Sequence, residues 1–240
     1  MKKSLLYYFI FFGILSVGLP INSVAQKRLK IENLPKYDLK PYHFGFALCV
    51  NKMDFAIHPV KDYKSFDSLF VVQSTPQWGF NIGIVSNLRI NNYMDLRFLP
   101  TLSFGQRVLD YTLKERDTVI IHTQKKIEST FIDFPLLLKY KSKRLNNMRA
   151  YVLGGIQYSI DLASQAKKKD KNNDLVKLKA NDYSFQVGVG FDFYLEYFKF
   201  STELKMIYGL PDLLKRDNTV YTTSISKLNS KIFQISFLFE

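Results

Sequence analysis

Apolar and polar residues alternate with a period of two along most of this chain. Between Ile127 and Ser164, Ile132, Phe134, Leu136, Leu138 and Tyr140 share one face, and Phe131, Asp133, Pro135, Leu137 and Lys139 share the other. After the polar connection SKRLNN the alternation resumes. Ala150, Val152, Gly154, Ile156, Tyr158 and Ile160 then lie opposite Tyr151, Leu153, Gly155, Gln157, Ser159 and Asp161. Side chains alternate across a strand, so this period predicts two strands, joined as a hairpin by an Asn-rich turn. One face is apolar and aromatic; the other mixes charge, amide, hydroxyl and glycine.

The same pattern predicts strands elsewhere. A first runs over about Tyr42–Lys52, with Phe44, Phe46, Leu48 and Val50 opposite Gly45, Ala47, Cys49 and Asn51. A second covers about Gln77–Asn87. A third covers about Tyr93–Gln106, with Leu96, Phe98, Leu102 and Phe104 opposite Asp95, Arg97, Thr101 and Ser103. Pro100 cannot donate to a ladder and should mark a bulge or break. Val108–Leu113 and Thr118–Thr123 extend the third and fourth strands as a protruding hairpin. Three more strands follow at about Tyr183–Phe193, Phe198–Gly209 and Lys231–Glu240. Long connections, such as Asp54–Thr75, Gln165–Ala180 and Leu210–Leu228, follow the odd strands, and short turns follow the even ones.

Two arrangements accommodate such strands. A soluble sandwich or lipocalin-like barrel hides the apolar face, whereas a membrane barrel turns it to lipid and fills its lumen with the mixed face. The start of the chain bears on the choice. Lys2 and Lys3 precede the apolar run LLYYFIFFGILSVG, and Ser23 and Ala25 are small residues at a cleavage site. This is the layout of a secretory signal peptide. The predicted organisation is a signal peptide over 1–25, a basic periplasmic lead-in over 26–41 and a barrel over 42–240. Cys49 is the one cysteine, so no internal disulfide can form. After Ala25 no apolar run reaches the roughly 18 residues of a spanning helix, so a membrane form must be a closed barrel. Regular alternation of long and short connections matches long external loops and short periplasmic turns. The expected fold is an all-β, eight-stranded antiparallel transmembrane outer-membrane β-barrel with a side-chain-filled lumen.

Charge and composition refine this picture. The formal charge is +13, and still +11 once Lys2 and Lys3 leave with the signal. In an exported chain this points away from nucleic acid and towards anionic lipid or lipopolysaccharide phosphates. The 15 Tyr and 21 Phe suit a lipid-facing surface with aromatic girdles. The inward list holds Asp95, Arg97, Asp133, Lys139, Gln157, Gln186, Asp192, Glu203 and Lys205. Buried charges need partners, so Glu203 and Asp133 are expected to pair with Arg97, Lys139 or Lys205 in a closed structural network. The loop residues Lys167, Lys168, Lys169, Lys171, Lys177 and Lys179 are candidates for contact with lipid or a protein partner. His43, His58 and His122 show no metal-ligand spacing. A lipid-modifying enzyme would need His122, a nearby Ser and Glu128 to act together. No catalytic, cofactor or metal site is assigned.

The stretch STFIDFPLLLKYKSKRLNNMRAYVLGGIQYSIDLAS, the segment FSTELKMIYG at Phe200–Gly209 and the final ISFLFE resemble the PorT proteins of Bacteroidetes. The resemblance covers nearly all the chain after the signal. It implies a non-enzymatic outer-membrane barrel of the type IX secretion system, with other secretion proteins as partners. Through that system, proteases and gliding adhesins reach the cell surface. A generic structural or ligand-binding barrel is the alternative.

Overall fold

A computed structural model of the chain describes residues 32–60, 69–115, 119–163, 177–216 and 224–240. Among these residues nine strand segments follow one another: β1 (Tyr42–Pro59), β2 (Leu69–Arg89), β3 (Met94–Phe98), β4 (Thr101–Glu115), β5 (Val119–Lys141), β6 (Met148–Asp161), β7 (Asn181–Tyr194), β8 (Lys199–Gly209) and β9 (Ile225–Phe239). All pairings are antiparallel. The segments β3 and β4 lie end to end between β2 and β5 and form one stave. The last strand, β9, returns to pair with β1. The result is an eight-stave antiparallel ring with no free long edge at its centre. The signal peptide, and the lead-in before Glu32, lie outside the described residues.

The third stave breaks at Leu99–Pro100. Pro100 lacks an N–H, so the ladder is carried around it: the Leu99 amide donates to the Pro135 carbonyl at 3.3 Å, and the Ile84 amide to the Pro100 carbonyl at 3.0 Å. Facing is preserved across the gap, with Arg97, Leu99, Thr101 and Ser103 all buried.

Several strands are longer than periodicity alone suggests. The predicted connection Asp54–Thr75 is strand at both ends: β1 continues against β9 to Pro59, and β2 starts at Leu69 against β4. Likewise β9 starts at Ile225, within the predicted Leu210–Leu228 loop. Long neighbours offer ladder partners to these segments, and that outweighs their mixed composition. The wall is therefore uneven. Its tallest strands are β2 and β5, of 21 and 23 residues, while β6 and β8 have 14 and 11.

The β2–β3, β5–β6 and β7–β8 connections share one end of the ring; β4 and β5 are joined at the other end through residues 116–118, because both strands run further than the pattern predicts. At the β5–β6 turn, Leu145 and Met148 exchange hydrogen bonds of 2.9 and 3.1 Å around Asn146 and Asn147. Asn146 takes a φ of 54°, which Asn tolerates better than most residues.

The two faces of the wall differ in kind. Phe185, Val187 and Val189 are 41%, 51% and 50% exposed, while Gln186 between them is 2% exposed. On β1, Phe44, Phe46, Leu48 and Val50 point out, and Ala47, Cys49 and Asn51 are buried. A water-soluble barrel would show the reverse. The apolar band runs up β2 from Leu88 to Trp78, about ten residues of tilted strand or roughly 25 Å. Its upper margin carries Trp78 beneath the Lys52 ammonium, 5.6 Å from the ring centre, and the Tyr158–Tyr183 pair at 5.0 Å. Amphipathic rings belong at such interfaces.

Val187 lies midway along β7 between Tyr183 and Phe193. Val187→Arg should therefore cost about 2–4 kcal/mol, read as a shift in the reversible urea unfolding of the barrel in lipid vesicles. An unchanged midpoint would place this face in water.

Candidate functional site: the filled lumen

The lumen is filled in layers, and each layer follows from inward positions of the strands. On the short-turn side, charged side chains cross from wall to wall. Arg97 on β3 binds Glu203 on β8 and reaches Glu240, just past β9, at 3.0 Å. Lys205 lies 3.1 Å from the same Glu203 carboxylate, which also accepts the Tyr151 hydroxyl at 2.7 Å. Lys139 on β5 makes two bonds of 2.8 Å to Asp192 on β7, which also accepts from Ser201 at 2.7 Å. The Lys139 ammonium sits 3.6 Å over the Tyr151 ring. Lys141 binds Asp95 at 2.6 Å, and Asn87 bridges Asp95 to Arg97.

Of the residues singled out by periodicity, Asp95, Arg97, Asp133, Lys139, Gln157, Gln186, Asp192, Glu203 and Lys205 are all buried inside. Their pairing differs from expectation at Asp133. It makes no ion pair with Arg97, Lys139 or Lys205. It sits a layer further from the short turns, where it accepts from Ser103 and from Gln157 at 3.0 Å. Hydroxyl and amide donors satisfy it there because its strand neighbours across β4 and β6 are Thr101 and Ser159. Glu240, next after Phe239, proves to be a hub, and the inward list left out Lys199, which binds Glu240 at 2.7 Å. Lys199 falls inside the predicted strand, between Phe198 and Phe200, and opens β8.

Beyond Asp133, Arg107 is sandwiched between Phe55 and Phe131, 4.7 and 5.0 Å from their ring centres, and donates to Ser230 at 3.1 Å. Above it an apolar lid closes the mouth. Phe55, Leu109, Ile225 and Leu228 from the walls pack with Leu178, Leu213 and Leu214 from two loops. These loops meet through the Leu178–Leu214 bridge. Asn229 donates to the carbonyls of Gly209, Leu210 and Pro211 and pins the second loop. Lys179 donates to the Asp212 carbonyl at 2.7 Å, and the Lys177 carbonyl accepts from Lys215 at 3.0 Å. Lys167, Lys168, Lys169 and Lys171 lie outside the described residues.

The short-turn mouth is closed by the lead-in. Among its described residues it forms a 3-10 turn at Tyr37–Leu39. Asn33 bonds to Asn147 and to the Tyr194 carbonyl, at 2.9 and 3.0 Å. Tyr37 stacks on His43 at 4.1 Å between ring centres and donates to Glu240 at 3.2 Å. Asp38 accepts from Arg149 at 2.8 Å and from the Tyr194 hydroxyl at 3.0 Å. Burial alone would raise the Asp38 carboxyl, but Arg149 and Tyr194 together hold it below the usual carboxylate range. Burial first, and then Glu240, push the Tyr37 phenol far above its ordinary value, so it stays a donor.

His122 and Glu128 lie six positions apart on β5, about 20 Å at strand rise. His122 meets Thr112 instead, at 3.2 Å, so the proposed triad does not assemble. Among the described residues no cluster of His, Cys, Asp or Glu is arranged to hold a metal ion.

Residues 25–215 match the family described as outer membrane protein beta-barrel domain. This chain belongs to that family. The outer membrane protein is similar in fold to solved barrels at low identity. Neisserial surface protein A is 10% identical, with a TM-score of 0.41, covering 83% of this chain and 99% of that one. OprG from Pseudomonas aeruginosa is 11% identical, with a TM-score of 0.42, covering 82% and 91%. The N-terminal barrel domain of Pseudomonas aeruginosa OprF is 14% identical, with a TM-score of 0.30, covering 80% and 97%. No curated protein matches the chain. Membership places the barrel in the outer membrane; barrels of that membrane keep their short turns on the periplasmic side.

Two outcomes follow from the lumen. Glu203→Ala strands Arg97 and Lys205 without their shared carboxylate, which should cost about 3–5 kcal/mol by equilibrium unfolding in detergent or lipid. The depressed Asp38 carboxyl stabilises docking of the lead-in above the ordinary Asp range near pH ~4, and that contribution is lost as pH falls through its lower folded value. Fluorescence from a dye at Lys36 should report release only in that acid range. Asp38→Asn should leave the lead-in loose at neutral pH and remove that transition.

Proposed function

We propose that this outer-membrane barrel is a non-enzymatic component of a protein-secretion apparatus, the type IX system, and that it acts by contact. The observation that carries the mechanism is the closed lumen. Ion pairs bridge the interior, Arg97 to Glu203 on the opposite wall and Lys139 to Asp192 two staves away, an apolar lid covers the outer mouth, and Tyr37 and Asp38 close the inner one. Eight staves enclose just enough space for side chains, so cargo travels through another component. The likeness of FPLLLKY, the following GG and the Phe200–Gly209 segment to PorT proteins supports the assignment to that system. Its partners would be other secretion proteins, met through the outer loops and the periplasmic lead-in. Lipopolysaccharide phosphates would meet the lysine-rich loop that ends at Lys177 and Lys179.

A generic structural or ligand-binding barrel is the second reading, favoured by the same closed lumen. Deleting the gene separates the two. Secretion predicts that surface proteases and adhesins accumulate in the periplasm and are restored by the intact gene. Normal surface delivery in the deletion strain leaves only the structural reading. Purified protein in planar bilayers should show no porin-sized conductance, and discrete large openings would defeat the closed-lumen mechanism.

A further inference from the structure

The lipid-facing wall is uneven in depth. Outward positions on β1, β2 and β7 carry large side chains, but on β6 two of them are Ala150 and Gly154. A Cβ built on Gly154 would find nothing nearer than the Gln186 carbonyl, 3.7 Å away, so the surface above it stands open. Gly188 and Gly190 on the adjacent β7 line the same surface through their backbone, since their missing side chains would point inward at Lys205 and Tyr151. A shallow trough of two stretches, about 340 and 360 Å³, lies over β6 and β7, and the stretches share Val152 and Val189. The first lies between Tyr140 and Phe191 over Ala150. The second passes Gly188 and ends at Met206 and Phe233.

The first stretch is lined by carbon almost throughout and the second mostly so, which suits hydrocarbon. The end of the first towards the β5–β6 turn is polar. Ser142 lies there, the next residue in the turn is the exposed Lys143, and Tyr140 at the rim is 57% exposed. This end borders a short turn and so faces the periplasmic leaflet. A cation beside the open end of an apolar trough complements an anionic headgroup with a long tail.

We propose that the trough is a binding site for one phospholipid of the periplasmic leaflet. Its acyl chain lies along Ala150 and Val152 between Tyr140 and Phe191, and its phosphate meets Lys143 and the Tyr140 hydroxyl. The site depends on the membrane orientation of the barrel and not on the secretion role.

Native mass spectrometry of the folded full-length mature protein, titrated with dioleoylphosphatidylglycerol, tests the site. One lipid should remain bound at collision energies that strip the others. Ala150→Phe should cut its occupancy at least tenfold, and Lys143→Glu, on an exposed turn, at least threefold. Heat-modifiable migration on gels checks that each variant is folded. Equal occupancy in Lys143→Glu and the parent, or no retained lipid in the parent, overturns the proposal. In cells, a photoreactive p-benzoylphenylalanine in place of Val152 should crosslink to phospholipid. A polypeptide adduct there would mean that a protein partner covers the trough, and would also overturn it.

Discussion

Hydrocarbon offers no hydrogen bonds, and every backbone amide and carbonyl at membrane depth must find its partner within the protein. For strands the solution is closure, and the pairing of β9 with β1 supplies it. Once the ring is shut, all else is assigned by side-chain parity. Residues facing out meet lipid and carry Phe, Leu, Ile and Val. Residues facing in share a space too narrow for bulk water, and there the chain places its ions.

Taking ions out of water is costly, and mutual attraction recovers that cost only with good geometry and additional hydrogen bonds. The inner half of the lumen meets these terms by sharing partners. Glu203 serves Arg97, Lys205 and Tyr151; Glu240 serves Arg97, Lys199 and Tyr37; Asp192 serves Lys139 and Ser201. Such sharing ties β3 to β8 and β5 to β7 across the interior, pairs that no ladder connects. The same hub, Glu240, holds the lead-in, so closure of the ring and closure of the inner mouth rest on common atoms.

Strand parity was legible in the sequence because it is a local property. Phe185, Val187 and Val189 against Gln186, or Leu136 and Leu138 against Lys139, announce which way each side chain points. The break at Pro100 was legible for the same reason, since a missing N–H has one meaning within a strand. Partner choice was legible only in part: Glu203 meets Arg97 and Lys205 as expected. Arg97 meets Glu240 across 143 positions because of ring shear and register, which no single strand encodes, and Asp133 finds hydroxyls where ions were expected. Strand ends were hidden too: Asp54–Pro59 and Leu69–Thr75 look like loop and become strand because β9 and β4 stand beside them. The lead-in was read as irregular. Its short aperiodic run gives no sign that Tyr37 and Asp38 fit a mouth formed by β1, β6, β7 and β8.

The gap in the third stave lies beside a second proline. Pro135 on β5 stands opposite Leu99, while Pro100 turns towards Ile84 of β2, so the two imino nitrogens fall at one height on neighbouring seams. Neither can contribute a rung, and the third stave is held there by the Leu99 and Ile84 amides. At that height the stave lacks a rung towards each neighbour, so the cylinder is joined by fewer hydrogen bonds than where its ladders are complete.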